Sequence, residues 1–136
     1  MIRHIVLFTA KNKAEIDGMV DGLSVLTAIP HARLLEIARN RKTDPLSDEI
    51  DVVVYGEFDN DAELAAYKAH HLYREAIERV RPLRELRFAA DYDSAKVAPP
   101  VAEVEVVVGE AAALAPTKSA SVETSRSIPS RAKASA

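Results

Sequence analysis

The sequence predicts a small α+β domain over residues 1–93, built in the order β-α-β-β-α-β. Segments with strand composition alternate there with segments whose apolar residues recur at helical spacing. Two of the strands are apolar on both faces, which is typical of strands that are covered on both sides. After residue 93 the composition changes to Ala, Val, Pro, Ser, Thr and Lys, without aromatic residues. Together these observations predict a folded domain and a low-complexity tail over residues 94–136.

The first strand and helix come from the first thirty residues. Residues 2–9 are rich in β-branched and aromatic side chains and predict a strand. Residues 13–29 place apolar side chains at helical spacing, and Pro30 ends the helix. Gly18 and Gly22 either weaken this helix or allow it to pack closely against the sheet.

The central part of the domain predicts two strands joined by a loop. Residues 32–39 alternate loosely in polarity, and residues 50–58 give the clearest strand of the chain. The polar stretch 40–49 between them contains Pro45 and is typical of a hairpin-type loop.

A second helical region and a last strand complete the domain. Asn60 is predicted to cap one helix, or a pair of helices, over residues 61–80, and Glu63 completes a capping box. Pro82 lies just past its end, and residues 86–92 supply the final strand.

This order predicts the ferredoxin-like arrangement, with both helices on one face of a four-stranded sheet. Residues 5–8 and 52–54 carry apolar side chains on both faces, so the uncovered face needs a partner. A second copy packed sheet to sheet is the simplest partner, and we therefore expect a homodimer.

Bulk composition narrows the function classes. The net charge of −3 gives no clustered positive charge for a nucleic-acid backbone, so no nucleic-acid partner is expected. No apolar run approaches the roughly 20 residues of a membrane helix, and no membrane contact is expected. Without cysteine there is no disulfide, thiol nucleophile or thiolate metal site, and we expect a soluble, cytoplasmic protein.

In the tail, residues 104–108 could add a strand, and disorder is expected from residue 117.

The residues that could carry chemistry are histidines and tyrosines. His4 lies on an apolar strand face and is either a hydrogen-bonded structural residue or part of a pocket, whereas His31 is expected to be a solvated loop residue. In one unbroken helix, one solvated side would carry Tyr67, His70, His71 and Arg74. Tyr73 would join the core stripe of Ala62, Ala66, Ala69, Ala76, Ile77 and Val80. A kink at residues 70–71 would instead bring the two tyrosines toward one cavity.

The sequence lacks the residue patterns of several common catalytic and cofactor sites. Adjacent histidines do not form a metal-ligand pair on a helix, so no metal is expected. There is no serine in a strand-to-helix elbow and no glycine-rich phosphate loop, and no cofactor is expected. Imidazole and phenol groups remain, which suit general acid/base proton transfer on a small carbonyl compound.

Three stretches resemble the stress-responsive A/B barrel (Dabb) family. They are the opening Ile-Arg-His-Ile-Val-Leu-Phe at residues 2–8, the F-x5-L-x-x-Y pattern that ends at Tyr67 with His70 three residues on, and Ala-Asp-Tyr at residues 90–92. The resemblance covers residues 1 to 93 and implies a dimeric α/β barrel. It also implies that Tyr67, His70 and His4 occupy positions of the family's tyrosine, first helix histidine and strand histidine.

The family is functionally mixed, and one plant member cyclises a linear polyketide with a histidine base and a tyrosine partner. That base falls at Tyr73 here, and the family's proline after the first histidine is His71. A phenol with an ordinary pKa near 10 is a poor base at neutral pH, so the same cyclase mechanism is not expected.

Three functions remain as hypotheses. The first is binding of a small, partly apolar ligand through His4, Tyr67, His70, His71 and Tyr73. The second is an enzyme of cyclase, isomerase or decarboxylase type, with His70 or His71 as base and Tyr67 polarising a carbonyl. The third is a structural or stress-associated protein whose tail recruits a partner.

Overall fold

The computed structural model describes residues 1–102 of the chain. Its helices and strands all lie in one unit, Met1–Val97. The predicted strand 104–108 and the disorder expected from residue 117 lie outside the described residues. Within residues 1–102, no helix combines the length and apolar character needed to cross a membrane.

In the described part of the chain, four antiparallel strands form a sheet in the order β2-β3-β1-β4. They are β1 (Ile2–Ala10), β2 (Leu34–Arg39), β3 (Val52–Phe58) and β4 (Arg84–Asp93). This order, together with three helices, confirms the predicted ferredoxin-like α+β fold.

The alternation of β1 and β3 separates a helix-facing side from an outer side of the sheet. The even-numbered residues of β1 are buried, whereas its odd-numbered residues from Arg3 to Leu7 are half-buried. In β3 the same alternation buries Val52, Val54 and Phe58. The core therefore lies between this side and the helices, and the second apolar side of both strands faces away from it.

The predicted helix over residues 13–29 is divided into three segments. Lys13–Glu15 and Val25–Ala28 are 3₁₀ turns, and only α1 (Ile16–Ser24) between them is an α-helix. Gly22 does not pack against the sheet: a Cβ added there would lie 3.0 Å from Val80 Cγ2 and 3.1 Å from Arg79 Cβ. The glycine therefore serves a close contact between two helices.

The second helical region is a pair of helices, one of the two alternatives that the sequence left open. They are α2 (Asp61–Ala69) and α3 (His71–Val80), separated at His70, whose ψ of 145° is extended. The Asn60 side chain accepts the Glu63 N–H and so caps α2, as predicted. The Glu63 side chain does not complete the predicted capping box, because its carboxylate contacts His31 instead. His70 accepts the Leu72 N–H at 3.1 Å through Nδ1 and caps α3 in the same way.

A β-bulge lies near the start of β4. Thr9 pairs with Leu86 and Ala10 pairs with Arg84, so Glu85 is an extra residue on β4. The Leu86 N–H donates to Thr9 Oγ1 at 3.0 Å, which supplies a partner at the interrupted ladder. Because a bulge resets the alternation of side chains, the residues on either side of it can share a face.

The first residues after β4 form a turn. Ser94–Lys96 form a short 3₁₀ turn, capped by the Asp93 side chain, which accepts the Ala95 N–H at 2.9 Å.

Candidate functional site

A cavity of about 320 Å³ lies between the sheet and the helices. Most of its wall is apolar and comes from β1, β3, α1, the turn after α1, and α3, with the side chains of Val6, Phe8, Leu23, Leu26, Val54, Ala76, Ile77 and Val80. Its polar groups belong to His4, Tyr67, Tyr73, Arg81, Arg84 and Arg87. An apolar cavity with a few converging polar groups is typical of a small-molecule site.

His4 is buried on the helix-facing side of β1 and lines the cavity. Its Nδ1 lies 2.5 Å from Oδ1 of Asp91, the residue directly opposite on β4. Because a carboxylate only accepts hydrogen bonds, this contact assigns the proton to Nδ1 and leaves Nε2 as an acceptor in the neutral ring. His4 is thus both a hydrogen-bonded core residue and a cavity residue, the two alternatives that the sequence left open.

Gly56 lies opposite His4 on the other neighbouring strand. A Cβ at this position would lie 2.9 Å from both Leu35 Cδ1 and Phe58 Cε1. The absence of a side chain therefore lets the Phe58 ring approach the strand, and its centroid lies 6.2 Å from that of His4.

Tyr67 and Tyr73 meet at the cavity because the helix is broken between them. Their ring centroids are 5.2 Å apart in an edge-to-face arrangement, and Tyr67 also lies 4.9 Å from Phe58 and 6.1 Å from His4. Burial raises the pKa of the Tyr67 phenol far above its ordinary value, the nearby Tyr73 adds to the rise, and the charge of Arg87 opposes it. Tyr67 is therefore a neutral hydroxyl at physiological pH and can donate a hydrogen bond.

His70 and His71 do not line this cavity. The His70 ring caps α3, stacks on His71 with centroids 4.6 Å apart, and lies 6.3 Å from His31. His31 is half-buried and its Nδ1 lies 3.0 Å from Glu63 Oε1, so it is paired rather than simply solvated. Of the five predicted ligand contacts, the structure therefore brings His4, Tyr67 and Tyr73 together and leaves the two adjacent histidines outside.

Sequence reasoning missed four polar residues of this region: Asp91, Arg81, Arg84 and Arg87. Asp91 lies in the predicted last strand, but its contact with His4 depends on the pairing and register of β4 against β1. The arginines are close together in the sequence, yet only the bulge puts Arg84 and Arg87 on one face. Within residues 1–102, no three His, Asp or Glu side chains are grouped so that they could hold a metal ion.

The family model described as Stress responsive A/B Barrel Domain matches residues 2–94 of this chain. No curated protein matches the chain.

Solved structures share the fold. A Dabb family protein with a ferredoxin-like fold from Mesorhizobium loti is 28% identical, with a TM-score of 0.57 over 68% of this chain and 94% of that one. A dimeric ferredoxin-like protein of unknown function from Thermobifida fusca is 24% identical, with a TM-score of 0.58 over 67% and 88%. A third, also dimeric and of unknown function, from Jannaschia sp. CCS1, is 16% identical, with a TM-score of 0.61 over 68% and 97%.

Proposed function

Because the chain belongs to the stress-responsive A/B barrel domain family, we propose that it binds a small, partly apolar ligand in the cavity between sheet and helices. The observation that carries this proposal is the cavity itself, with His4, Tyr67 and Tyr73 as polar contacts on an apolar wall. Its volume lies at the lower end of the about 300–1,000 Å³ of ligand pockets, which favours a ligand of one or two rings. A stress-associated role is proposed on the family's description alone.

Binding can be tested by reducing the cavity. Ala76 lines it and is fully buried, so Ala76→Leu places three additional carbon atoms in the space that a ligand would occupy. Ala65→Leu, on the exposed side of α2, is the matched control. We expect small aromatic compounds to raise the Tm of the parent chain and of the control, and to have no effect on Ala76→Leu. Equal ligand-induced shifts in all three proteins would place binding outside this cavity.

A homodimer is proposed from the outer side of the sheet. This side carries Ile5, Leu7, Val53, Tyr55 and Phe88, all half-buried, and Leu34 and Tyr92, which are 38% and 41% exposed. No helix of residues 1–102 covers it, and a contiguous apolar sheet face is typical of an interface. Two structural neighbours are described as dimeric, which supports a dimer.

Leu7→Glu tests the dimer. Leu7 is paired with both Val53 and Phe88 near the middle of the outer side. Light scattering should give the mass of two chains for the parent protein and the mass of one chain for the variant. A carboxylate that is buried in the interface without an opposite charge would destabilise the dimer. A parent protein that is monomeric at micromolar concentration would contradict the proposed dimer.

A second candidate function, proton-transfer catalysis, is favoured by the contact between His4 and Asp91. A histidine held through Nδ1 by a carboxylate presents Nε2 as a proton acceptor, and the neutral Tyr67 hydroxyl can polarise a carbonyl. Such chemistry would abstract a proton next to the carbonyl of a bound compound. The base predicted at His70 is engaged instead in the cap of α3, so the geometry favours His4 for this role.

Exchange of a ligand's acidic C–H for deuterium, followed by NMR, separates the two histidines. We expect His4→Gln to slow exchange by about 10²- to 10⁴-fold, the range of general-base catalysis. His70→Asn retains a capping side chain and should leave exchange unchanged. The reverse pattern, with loss only in His70→Asn, would return the role of base to His70.

A further inference from the structure

The wall of the cavity is positively charged, although the chain as a whole carries a net charge of −3. Arg81, Arg84 and Arg87 all line it, and no aspartate or glutamate is among its lining residues. Charges of one sign in a cleft with apolar walls concentrate their field on whatever enters. The cavity therefore attracts anions against the overall charge of the protein.

Three local features bring these arginines together. Arg81 is the C-cap of α3, Arg84 begins β4, and Arg87 lies opposite Phe8 on the helix-facing side. In a regular strand, residues 84 and 87 would point to opposite faces because their separation is odd. The bulge at Glu85 resets the alternation, and both arginines line the same cavity.

The guanidinium groups of all three are available for a ligand. Three of the six other arginines of residues 1–102 form ion pairs with carboxylates: Arg33 with Asp59, Arg39 with Asp17, and Arg79 with Glu75. Within the same residues, no ion pair and no side-chain hydrogen bond involves Arg81, Arg84 or Arg87. Three neighbouring unpaired arginines repel one another, and a bound anion removes that repulsion.

We propose that the cavity selects small organic acids, whose carboxylate is held by Arg84 and Arg87 with Arg81 beside them. This inference rests on the proposed ligand-binding function and names the chemical class of the ligand. Guanidinium groups match a carboxylate because their planar N–H donors can pair with both of its oxygens.

The other end of the cavity determines how such an acid lies. His4 and Phe8 are four residues apart on β1, which is about 13 Å along an extended strand. Arg87 is opposite Phe8, whereas Tyr67 is close to His4. An acid therefore lies along β1 with its carboxylate at the arginines and its apolar body against Val6. Its far end reaches the His4 and Tyr67 side chains, which favours a carbonyl or hydroxyl group there.

The position of α3 favours a carboxylate over a phosphate. Phosphates are commonly held at helix N-termini, where free N–H groups and the positive end of the helix dipole meet the charge. Arg81 marks the C-terminal end of α3, where the carbonyl groups and the negative end of the dipole lie. A group with one negative charge is repelled less there than a dianion.

Isothermal titration calorimetry of the full chain with matched probes tests whether the ligand is an organic acid. The probes are 3-phenylpropanoate and its neutral isostere 3-phenylpropanamide, with phenyl phosphate as a second anion. We expect the acid to bind at least about tenfold more tightly than the amide, since one charge-assisted hydrogen bond is worth that factor. The preference should decrease between about 0.05 and 0.5 M salt because both charges are partly accessible to solvent.

Substitutions of Arg84 and Arg87 test whether these arginines cause the preference for the acid over the amide. Arg84→Gln and Arg87→Gln should each weaken acid binding by about tenfold and leave amide binding unchanged. Arg84→Lys and Arg87→Lys keep the charge and should retain part of the preference, which also guards against a folding defect in the glutamine variants. Arg79→Gln, which removes a surface arginine paired with Glu75, is the control and should bind like the parent chain.

The failures of the two proposals can be told apart. Equal binding of acid and amide, or an acid preference unchanged in both glutamine variants, overturns the acid class and leaves the ligand-binding function standing. Tighter binding of phenyl phosphate than of the acid overturns the choice of carboxylate. If none of the three probes binds but neutral aromatic compounds do, only the acid class fails; if nothing binds, both proposals fail.

Discussion

Asp51→Asn is expected to destabilise this domain because it removes a buried charge that three hydrogen-bond donors share. The Asp51 carboxylate is fully buried and accepts from Ala10 N–H, Lys13 Nζ and Lys42 Nζ, each at 2.7 Å. Its own N–H donates to Phe8 O at 2.8 Å. One side chain thus joins the end of β1, the turn before α1 and the loop before β3.

The magnitude follows from what an amide keeps and loses. The amide oxygen still accepts from Ala10, but both ion pairs are lost. Since the lysine side chains are 56% and 37% exposed, solvent weakens each pair to about 1 kcal/mol at most. A buried amide N–H facing two ammonium groups adds about 1 kcal/mol. The sum is about 2–3 kcal/mol, or a decrease in Tm of about 10–20 °C for a domain of this size.

The pH dependence gives a second, independent check. Burial alone would raise the pKa of Asp51, but the hydrogen bonds from Lys13, Lys42 and Ala10 outweigh it and hold the pKa below its ordinary value. A lowered pKa means that the stabilisation is complete above the unfolded-state pKa, about 3.9, and is lost as pH falls through the folded-state pKa. The difference between the parent chain and Asp51→Asn should therefore be constant from about pH 5 to 8 and shrink below about pH 4.

Urea unfolding followed by circular dichroism at a series of pH values measures both effects. Asp48→Asn, in the same loop but exposed, is the control and should change the free energy of unfolding by less than about 0.5 kcal/mol. A loss under about 1 kcal/mol in Asp51→Asn at pH 7, or a loss of the same size at pH 3 and pH 7, would contradict the role given to the charged carboxylate.

Three further predictions concern the cavity and its supports. His70→Ala should lower the free energy of unfolding by about 1 kcal/mol because the Leu72 N–H loses its cap, and His70→Asn should restore most of it; chemical denaturation measures both. Gly56→Ala should cost about 1–3 kcal/mol because its Cβ would overlap the Phe58 ring, and thermal unfolding measures the loss. Tyr67→Phe should have the same absorbance titration at 295 nm as the parent chain up to about pH 10, because burial keeps this phenol protonated.

Each of these has an outcome that contradicts it. Equal stability of His70→Ala and His70→Asn would show that the cap contributes nothing. A Gly56→Ala protein as stable as the parent would mean that Leu35 and Phe58 move aside without cost. A phenolate signal below pH 9 that disappears in Tyr67→Phe would place Tyr67 in a more polar environment than the structure gives it.

Local signals in the sequence are sufficient to predict the architecture of the domain. Strand composition, helical spacing and the stops at Pro30 and Pro82 define the elements, and their order permits few topologies. The apolar character of both sides of β1 and β3 also predicts an outer sheet face that needs a partner. The segments 104–108 and 117–136 stay predictions, because they lie outside the described residues.

Which polar residues share the cavity is a property of the tertiary structure. His70, placed with Tyr67 by helical spacing, is removed from it because its extended backbone ends α2 and its ring caps α3. The same break brings Tyr67 and Tyr73 together, one of the two geometries that spacing alone left open.

The contact of His4 with Asp91 and the convergence of Arg84 and Arg87 depend on the register of β4 against β1. A shift of one residue exchanges the two faces of a strand, and a bulge changes the register within it. Local composition determines that a strand forms, but pairing with its neighbour determines which of its side chains meet. For that reason the fold could be predicted from this sequence, whereas the charge of its cavity could be found only in the structure.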